Sequence, residues 1–345
     1  MKIKTLLTLA TTALFATLLT ACKEPKQIAL SGKTMGTTYN VKYIDDGSIQ
    51  NLAKPDEMQK QLDELLTIVN DEMSTYQKDS QISRFNQMKE INQPFEISSD
   101  FATVVQEAVR LNKVTEEALN VTVGPLVNLW GFGPDKRLNK VPTAEQIAER
   151  AQFVGIDKFT LENNVLTKKV AGLYLDLSSI AKGFGVDKLA LHLEQYGIEN
   201  YLVEIGGELR GKGKNLQGQD WRIAIEKPEF AQGVSSQIIV PLHNLGMATS
   251  GSYRNYFEDE SGKRLSHIID PKTLSPIAHN LASITVISPS TMTADGLSTG
   301  LFVLGPEKAL EVAERDQLAV FLIIKNGDKF ETKMSSAFAK LTEQK

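Results

Sequence analysis

Asp295 and Thr299 stand four residues apart in the run Thr291 to Leu304, whose spacing predicts a helix. Both side chains would then leave one helix face. A carboxylate and a hydroxyl are hard oxygen donors of the kind Mg²⁺ takes, with water and substrate phosphate filling the rest of its shell. Taken alone, the pair also fits an ordinary cap at a helix start. The run Ser178-Ser179-Ile180-Ala181-Lys182-Gly183 follows the strand-like Leu173 to Leu177 and opens a second predicted helix, Ser179 to Tyr196. Its free N–H groups and the Lys182 ammonium suit an anion, although a capped helix start with a solvated lysine is the plainer reading of that stretch by itself. His267-Ile268-Ile269-Asp270-Pro271 puts a histidine and an aspartate just before a proline turn, where the histidine is either a general base or a hydrogen-bonded surface group. His192 reads as structural, and His243 and His279 carry no assignment.

Several familiar arrangements are excluded. Gly32-Lys33-Thr34 ends like a phosphate-binding loop, but the glycine required five positions earlier is Gln27. Gly211-Lys212-Gly213 starts like a dinucleotide fingerprint, yet its sixth position is Leu216 and strand formers follow, so it reads as a loop. Gly296-Leu297-Ser298-Thr299-Gly300 matches a nucleophile elbow, whose triad needs a later histidine; the last one is His279. A single cysteine and no HExxH rule out thiolate zinc and helical metalloprotease sites.

That cysteine belongs to a leader. Lys2 and Lys4 precede an uncharged apolar run from Thr5 to Thr20, shorter than the roughly 20 residues of a permanent span. It ends in Leu19-Thr20-Ala21-Cys22, which resembles the bacterial lipobox, and the resemblance implies cleavage before Cys22 and acylation of its sulfur. Residues 1–21 are expected to be a signal peptide and 22–30 an acylated tether, polar from Lys23 to Gln27. No disulfide can then form within the chain, so the fold rests on its core; a chain of this size buries roughly 75% of its unfolded surface. Lys and Arg number 38 against 42 Asp and Glu, and loss of Lys2 and Lys4 leaves 36 against 42, a net charge of about −6. Without basic clusters, nucleic acid is not the expected partner.

The elements that must hold these residues are helices and strands in mixed order. A strand is predicted around Thr38 to Tyr43, then a helix from Pro55 through Met58, Leu62, Leu65, Leu66 and Val69. Further helices are expected over Phe101 to Ala118 and over Thr143 to Phe153, the latter with a Thr143/Gln146 capping box, while Gly197 closes the one ending at Tyr196. Strands follow at Tyr201 to Ile205, Trp221 to Glu226, Gln237 to Leu242, Ser283 to Ser288 and Leu318 to Lys325, the last turning at Asn326-Gly327. Helices and strands without strict alternation favour an α+β fold of mixed or antiparallel sheets with packed helices.

Together the polar segments resemble the ApbE family of FAD:protein FMN transferases. The landmarks run in family order: Met35-Gly36-Thr37-Thr38-Tyr39, Met73-Ser74-Thr75-Tyr76 with Ser80 to Asn86, Val121 to Leu126 before Leu129 to Gly133, and Asp176 to Gly183. Glu204-Ile205-Gly206-Gly207-Glu208, Ala248 to Arg254, His267 to Pro271 and Ala294 to Thr299 complete them. The resemblance implies one catalytic unit over 31–340, with a division into two interlocked subdomains left open. It places Met35 and Tyr76 against a flavin ring and makes Asp176, Lys182 and the backbone near Ile269 further FAD contacts. It assigns Asp295 and Thr299 to Mg²⁺, joined by an oxygen of the Ser179 hydroxyl or the Ala181 carbonyl. It implies transfer of FMN from FAD to a threonine or serine hydroxyl of exported acceptor proteins, with AMP leaving and His267 or Asp270 as base. FAD hydrolysis to FMN and AMP, or flavin binding without catalysis, would use the same residues. Acceptors are expected among subunits of flavin-dependent electron-transfer complexes. The expected location is the periplasm, on a lipid anchor in the inner leaflet of the outer membrane, since Lys23 follows the cysteine.

Overall fold

The computed structural model describes residues 24–134, 141–226, 237–251, 256–258 and 264–343. The leader, Cys22 and the Ser252-Tyr253-Arg254 end of one family segment lie outside them. Among the described residues no helix is long and apolar enough to cross a membrane.

In chain order the elements are β1 (Lys26–Thr34), β2 (Thr37–Asp45), α1 (Pro55–Met73), α2 (Gln81–Gln87), β3 (Pro94–Glu96), α3 (Ser99–Val114), α4 (Gly124–Leu129), α5 (Ala144–Ala151), β4 (Phe159–Glu162) and β5 (Val165–Lys168). Then come α6 (Ala181–Gln195), β6 (Tyr201–Ile205), β7 (Glu208–Lys212), β8 (Trp221–Glu226), β9 (Gln237–Leu242), β10 (Leu245–Gly251), β11 (Tyr256–Glu258), β12 (Arg264–Ser266), β13 (Ile269–Asp270), β14 (Ser275–Pro276) and β15 (Leu281–Ser288). The chain closes with α7 (Thr291–Leu304), α8 (Pro306–Arg315), β16 (Ala319–Asn326), β17 (Lys329–Met334) and α9 (Ser336–Glu343).

One sheet joins the two halves of the chain, in the order β1-β2-β6-β7-β10-β15-β16-β17, every neighbouring pair antiparallel. The fold is α+β, as the mixed order predicts. The first hairpin turns on Met35-Gly36, both left-handed at φ +49° and +72°, the geometry of a two-residue turn between twisted strands. In β2 the alternation is clean: Tyr39, Val41 and Tyr43 point into a core made with Met58, Leu62 and Leu66 of α1 and Val186, Leu189 and Leu193 of α6. By contrast β15 and β16 are buried on both faces. Val286, Val320 and Leu322 meet α7 and α3 on one side, and Ile287, Phe321 and Ile323 meet Phe338 of α9 and the β8–β9 hairpin on the other. Such strands read as continuous apolar runs.

The helix starts and stops follow local chemistry. Thr143 and Gln146 close the expected capping box on α5. Gly197, at φ +85°, ends α6 in a Schellman arrangement, with Gly197 N–H bonded to Glu194 O and Ile198 N–H to Leu193 O. The helix predicted to reach Ala118 stops at Val114 instead, because the Thr115 hydroxyl donates back to Leu111 O at 2.8 Å and accepts from Leu119 N–H at 3.0 Å. Gly211 and Lys212, read as loop, are the end of β7. Residues 26–30 of the expected tether already lie in β1, and α9 continues to Glu343, so the folded unit exceeds 31–340 at both ends. Leu173 to Leu177, read as strand-like, forms no regular element and joins no sheet. The Asn86 side chain takes the place of a neighbouring strand, donating to Leu175 O at 2.9 Å and accepting Leu175 N–H at 2.8 Å. Lys168, fully buried, spends its ammonium on the carbonyls of Asn86, Met88 and Leu173, which ties the same segment down.

Candidate active site

A cavity of about 520 Å³ opens between α6, α7, the β6–β7 turn, the end of β10 and the segment around β13. That is a volume typical of cofactor sites. Its walls differ in kind. Ala118, Leu119, Val123, Val127, Phe132 and Val303 form an apolar side, with Tyr76 at the mouth, 70% exposed. Asp176, Ser178, Ser179, Lys182, Glu208, Asp295 and Thr299 form a polar one.

The polar side is built from three local devices. First, the clamped segment before α6 delivers Asp176, whose Oδ1 accepts from Ser178 N–H and shapes the turn that presents Ser178 and Ser179. Second, Gly206 and Gly207, at φ +58° and +107°, close the β6–β7 hairpin so tightly that Glu208, paired with Ile205, enters the floor almost completely buried. Third, α7 carries Asp295 inward. Its own start is capped by Ser290, which accepts Thr293 N–H, so Asp295 does not cap its own helix. Instead Asp295 Oδ2 accepts the Gly183 N–H of α6 at 2.9 Å. Thr299, one turn on, shares the face; its hydroxyl lies 3.3 Å from Ser250 Oγ, which also pairs with Ser298 Oγ at 2.8 Å.

The charges are crowded. Lys182 Nζ sits 2.6 Å from Glu208 Oε2. Burial pushes the Lys182 ammonium down, but the Asp295 and Glu208 carboxylates outweigh it and hold the group above its ordinary value. Burial raises Glu208 against the pull of Lys182. Asp295, wholly enclosed, is pushed up to about 8 by burial and then by Glu208, opposed by Lys182 and the Gly183 N–H. Two buried carboxylates share one ammonium, with hydroxyls alongside and no soft donor. That set fits a hard divalent cation with few protein ligands; among the described residues no cluster of three or more His, Cys, Asp or Glu forms a fuller cage.

The sequence profile of the ApbE family matches residues 35–322, nearly the whole described fold. The chain belongs to the ApbE family. It is 61% identical over 332 residues to the FAD:protein FMN transferase of Haemophilus influenzae, covering 95% of each chain. Its fold superposes on the flavin transferase ApbE from Vibrio cholerae with a TM-score of 0.85 at 51% identity, covering 92% of this chain and 99% of that one. The apo flavinyl transferase ApbE of Pseudomonas stutzeri gives the same TM-score at 40% identity, covering 92% and 97%.

Of the residues that the ApbE resemblance singles out, Tyr76, Asp176, Ser179, Lys182, His267, Ile269, Asp295 and Thr299 border this one cavity. Three do not line it. Met35, at the first hairpin turn, packs into the seam between the two main cores, near Gly185 of α6. Ala181 is the first residue of α6 and half-buried. Asp270 turns its Oδ1 to Lys272 N–H at 2.8 Å, whereas His267, its rival as base, faces the cavity beside the Phe132 ring. Glu208, Ser250 and Asn120 line the site without having been singled out. A lone glutamate after two glycines has no periodicity or spacing to mark it, and its inward turn depends on the hairpin.

Proposed function

We propose that this chain transfers FMN from FAD to a threonine or serine hydroxyl of an exported acceptor protein, with Mg²⁺ bound and AMP released. One observation carries the reading: a single cavity is lined both by apolar and aromatic side chains and by one ammonium, three carboxylates and several hydroxyls. Flat rings suit the apolar part and a cation-bound diphosphate the polar one. The transferase names of relatives matched over nearly their whole length point the same way.

In this reading Tyr76 and the apolar wall hold the rings. Lys182 and the hydroxyls of Ser178 and Ser179 would meet the diphosphate. Asp295 and Thr299, with an oxygen from the Ser179 to Ala181 turn, would hold Mg²⁺, which when bound neutralises phosphate charge. His267 accepts the acceptor hydroxyl proton as its oxygen bonds to the FMN-side phosphorus and the bond to AMP breaks. Positioning supplies most of the effect.

The test incubates the full chain with FAD, Mg²⁺ and a threonine-bearing acceptor fragment and looks for flavin fluorescence on the acceptor in a denaturing gel. Free FMN and AMP without labelled acceptor would mean hydrolysis; no AMP at all would leave a flavin-binding protein.

Two further outcomes are expected. Tyr76→Ala should weaken FAD binding by about 0.5 to 1.5 kcal/mol beyond lost contact area. Its ring is 70% exposed, so the melting temperature should hardly move; unchanged FAD affinity in a fluorescence titration would remove Tyr76 from the ring site. Cys22→Ser should leave an unprocessed, unlipidated precursor, checked by metabolic labelling with a fatty acid, because the lipobox reading makes Cys22 the anchor to the periplasmic face of the outer membrane. Equal labelling of the variant would end that reading.

A further inference from the structure

Helices α6 and α7 cap one another. The residue before α6, Ile180, makes no side-chain cap, and the first-turn Gly183 N–H is taken by Asp295 from α7. One turn further along α6, on the same face as Gly183, Asp187 returns the contact. Its carboxylate accepts Ser290 Oγ–H at 2.8 Å, Thr291 N–H at 3.1 Å and Met292 N–H at 3.0 Å, all at the start of α7. Arg210 of β7 closes the knot, donating from Nη1 to Asp187 Oδ1 at 3.0 Å and to Pro289 O at 2.8 Å. Gly183 and Asp187 on one helix thus face Asp295 and the 290–292 turn on the other, an antiparallel pair joined at two points four residues apart on α6. No Cβ at Gly183 intervenes, since one there would come within 2.4 Å of Thr291 O. The Asp187 carboxylate is largely buried and bonds nothing in the cavity.

We infer that Asp187 is a positioning residue: it sets the register of α7 against α6, and so the placement of Asp295 and Thr299 opposite Ser179 and Lys182, on which cation affinity depends. The inference about cation affinity rests on the Mg²⁺ reading above, whereas the register itself does not. A helix start offers no intrahelical acceptor to its first-turn amides, so exchange of the Gly183 N–H reports the Asp295 contact without any metal or turnover.

The experiment compares the wild type, Asp187→Ala and Asp187→Asn as full chains. It measures amide exchange in chelator and Mg²⁺ binding by calorimetry. In Asp187→Ala the Gly183 amide should exchange about tenfold faster, while Val203 in the sheet stays protected. Mg²⁺ affinity should drop about tenfold or more, as for other supporting residues around a metal. Asp187→Asn keeps an acceptor oxygen but meets Arg210 with an amide, and should fall between. Wild-type exchange at Gly183 together with wild-type Mg²⁺ affinity, accompanied only by a lower melting temperature, would reduce Asp187 to a plain cap and overturn the inference. Should Asp187→Ala fail to fold, Asp187→Asn and Arg210→Gln answer the same question. If the wild type binds no Mg²⁺, the cation reading fails, and Gly183 exchange still decides the register.

Discussion

Asp295→Asn is expected to abolish flavin transfer while leaving the metal-free protein at least as stable as the wild type. Asparagine fills the same volume, and its carbonyl oxygen can still accept the Gly183 N–H. What disappears is a buried ionisable group beside Glu208, largely protonated in the metal-free protein at neutral pH and charged once a cation is bound. Burial already disfavours its charged form, so replacing it by a neutral amide should not lower the melt. For a cation with few protein ligands, the same loss should reduce affinity by about 100-fold or more. Transfer measured against Mg²⁺ concentration should show a collapse with at most partial rescue. Matching metal-response curves for the two proteins would remove Asp295 as a ligand.

A pH signature accompanies this. Without metal, Asp295 ionises in the folded protein near about 8, against an ordinary value of 3.8. Between those values the folded state holds a proton that the unfolded chain has released, so stability falls as pH rises through the window, by up to about 1.4 kcal/mol per pH unit. The metal-free wild type should therefore lose melting temperature from pH 5 to pH 8 more steeply than Asp295→Asn. Mg²⁺ should flatten the difference and, on binding at pH 7, release a proton detectable in buffers of different ionisation enthalpy. Parallel melting curves for the two proteins would contradict the raised value.

Gly183→Ala is the second large effect. A Cβ there would lie 2.4 Å from Thr291 O and 2.7 Å from Asp295 Cβ. The nearest obstacle is backbone, which cannot rotate aside. Alanine gains up to about 1 kcal/mol of helix propensity, but overpacking costs about 1–3 kcal/mol, and relief comes only by moving α7 away. That shift carries Asp295 and Thr299 with it, and a displacement near 1 Å in a positioned site costs about 100-fold in rate. Gly185→Ala is the control: its Cβ would meet the far ends of side chains, Ile205 and Met35 at 3.1 Å each and Leu66 at 3.6 Å. These side chains can yield, so its melting temperature and activity should stay near wild type. Equal behaviour of the two alanine variants would show that the α6–α7 contact is not tight.

How much of this was legible in the residues themselves varies with the range of the interaction. The helix Thr291–Leu304 and the strands Tyr201–Ile205, Trp221–Glu226 and Gln237–Leu242 match their predicted bounds, because periodicity and caps act within a few residues. The Thr143 box and the Gly197 stop were equally local. The edge strands β1 and β17 carry no such signal, because an edge strand needs no continuous apolar pattern. The site followed the same rule. Residue types marked Asp295, Thr299, Lys182, Ser179 and His267 as candidates, and eight ordered segments identified the family. What the tertiary structure decided was how they meet: Asp295 caps α6 rather than its own helix, and Glu208 swings inward on two left-handed glycines. The run Leu173 to Leu177, read as strand-like, has no strand beside it. Asp187 holds α7 from across the helix pair. Each of these depends on backbone or charge brought close from distant parts of the chain, and composition or spacing along one segment carries no record of that approach.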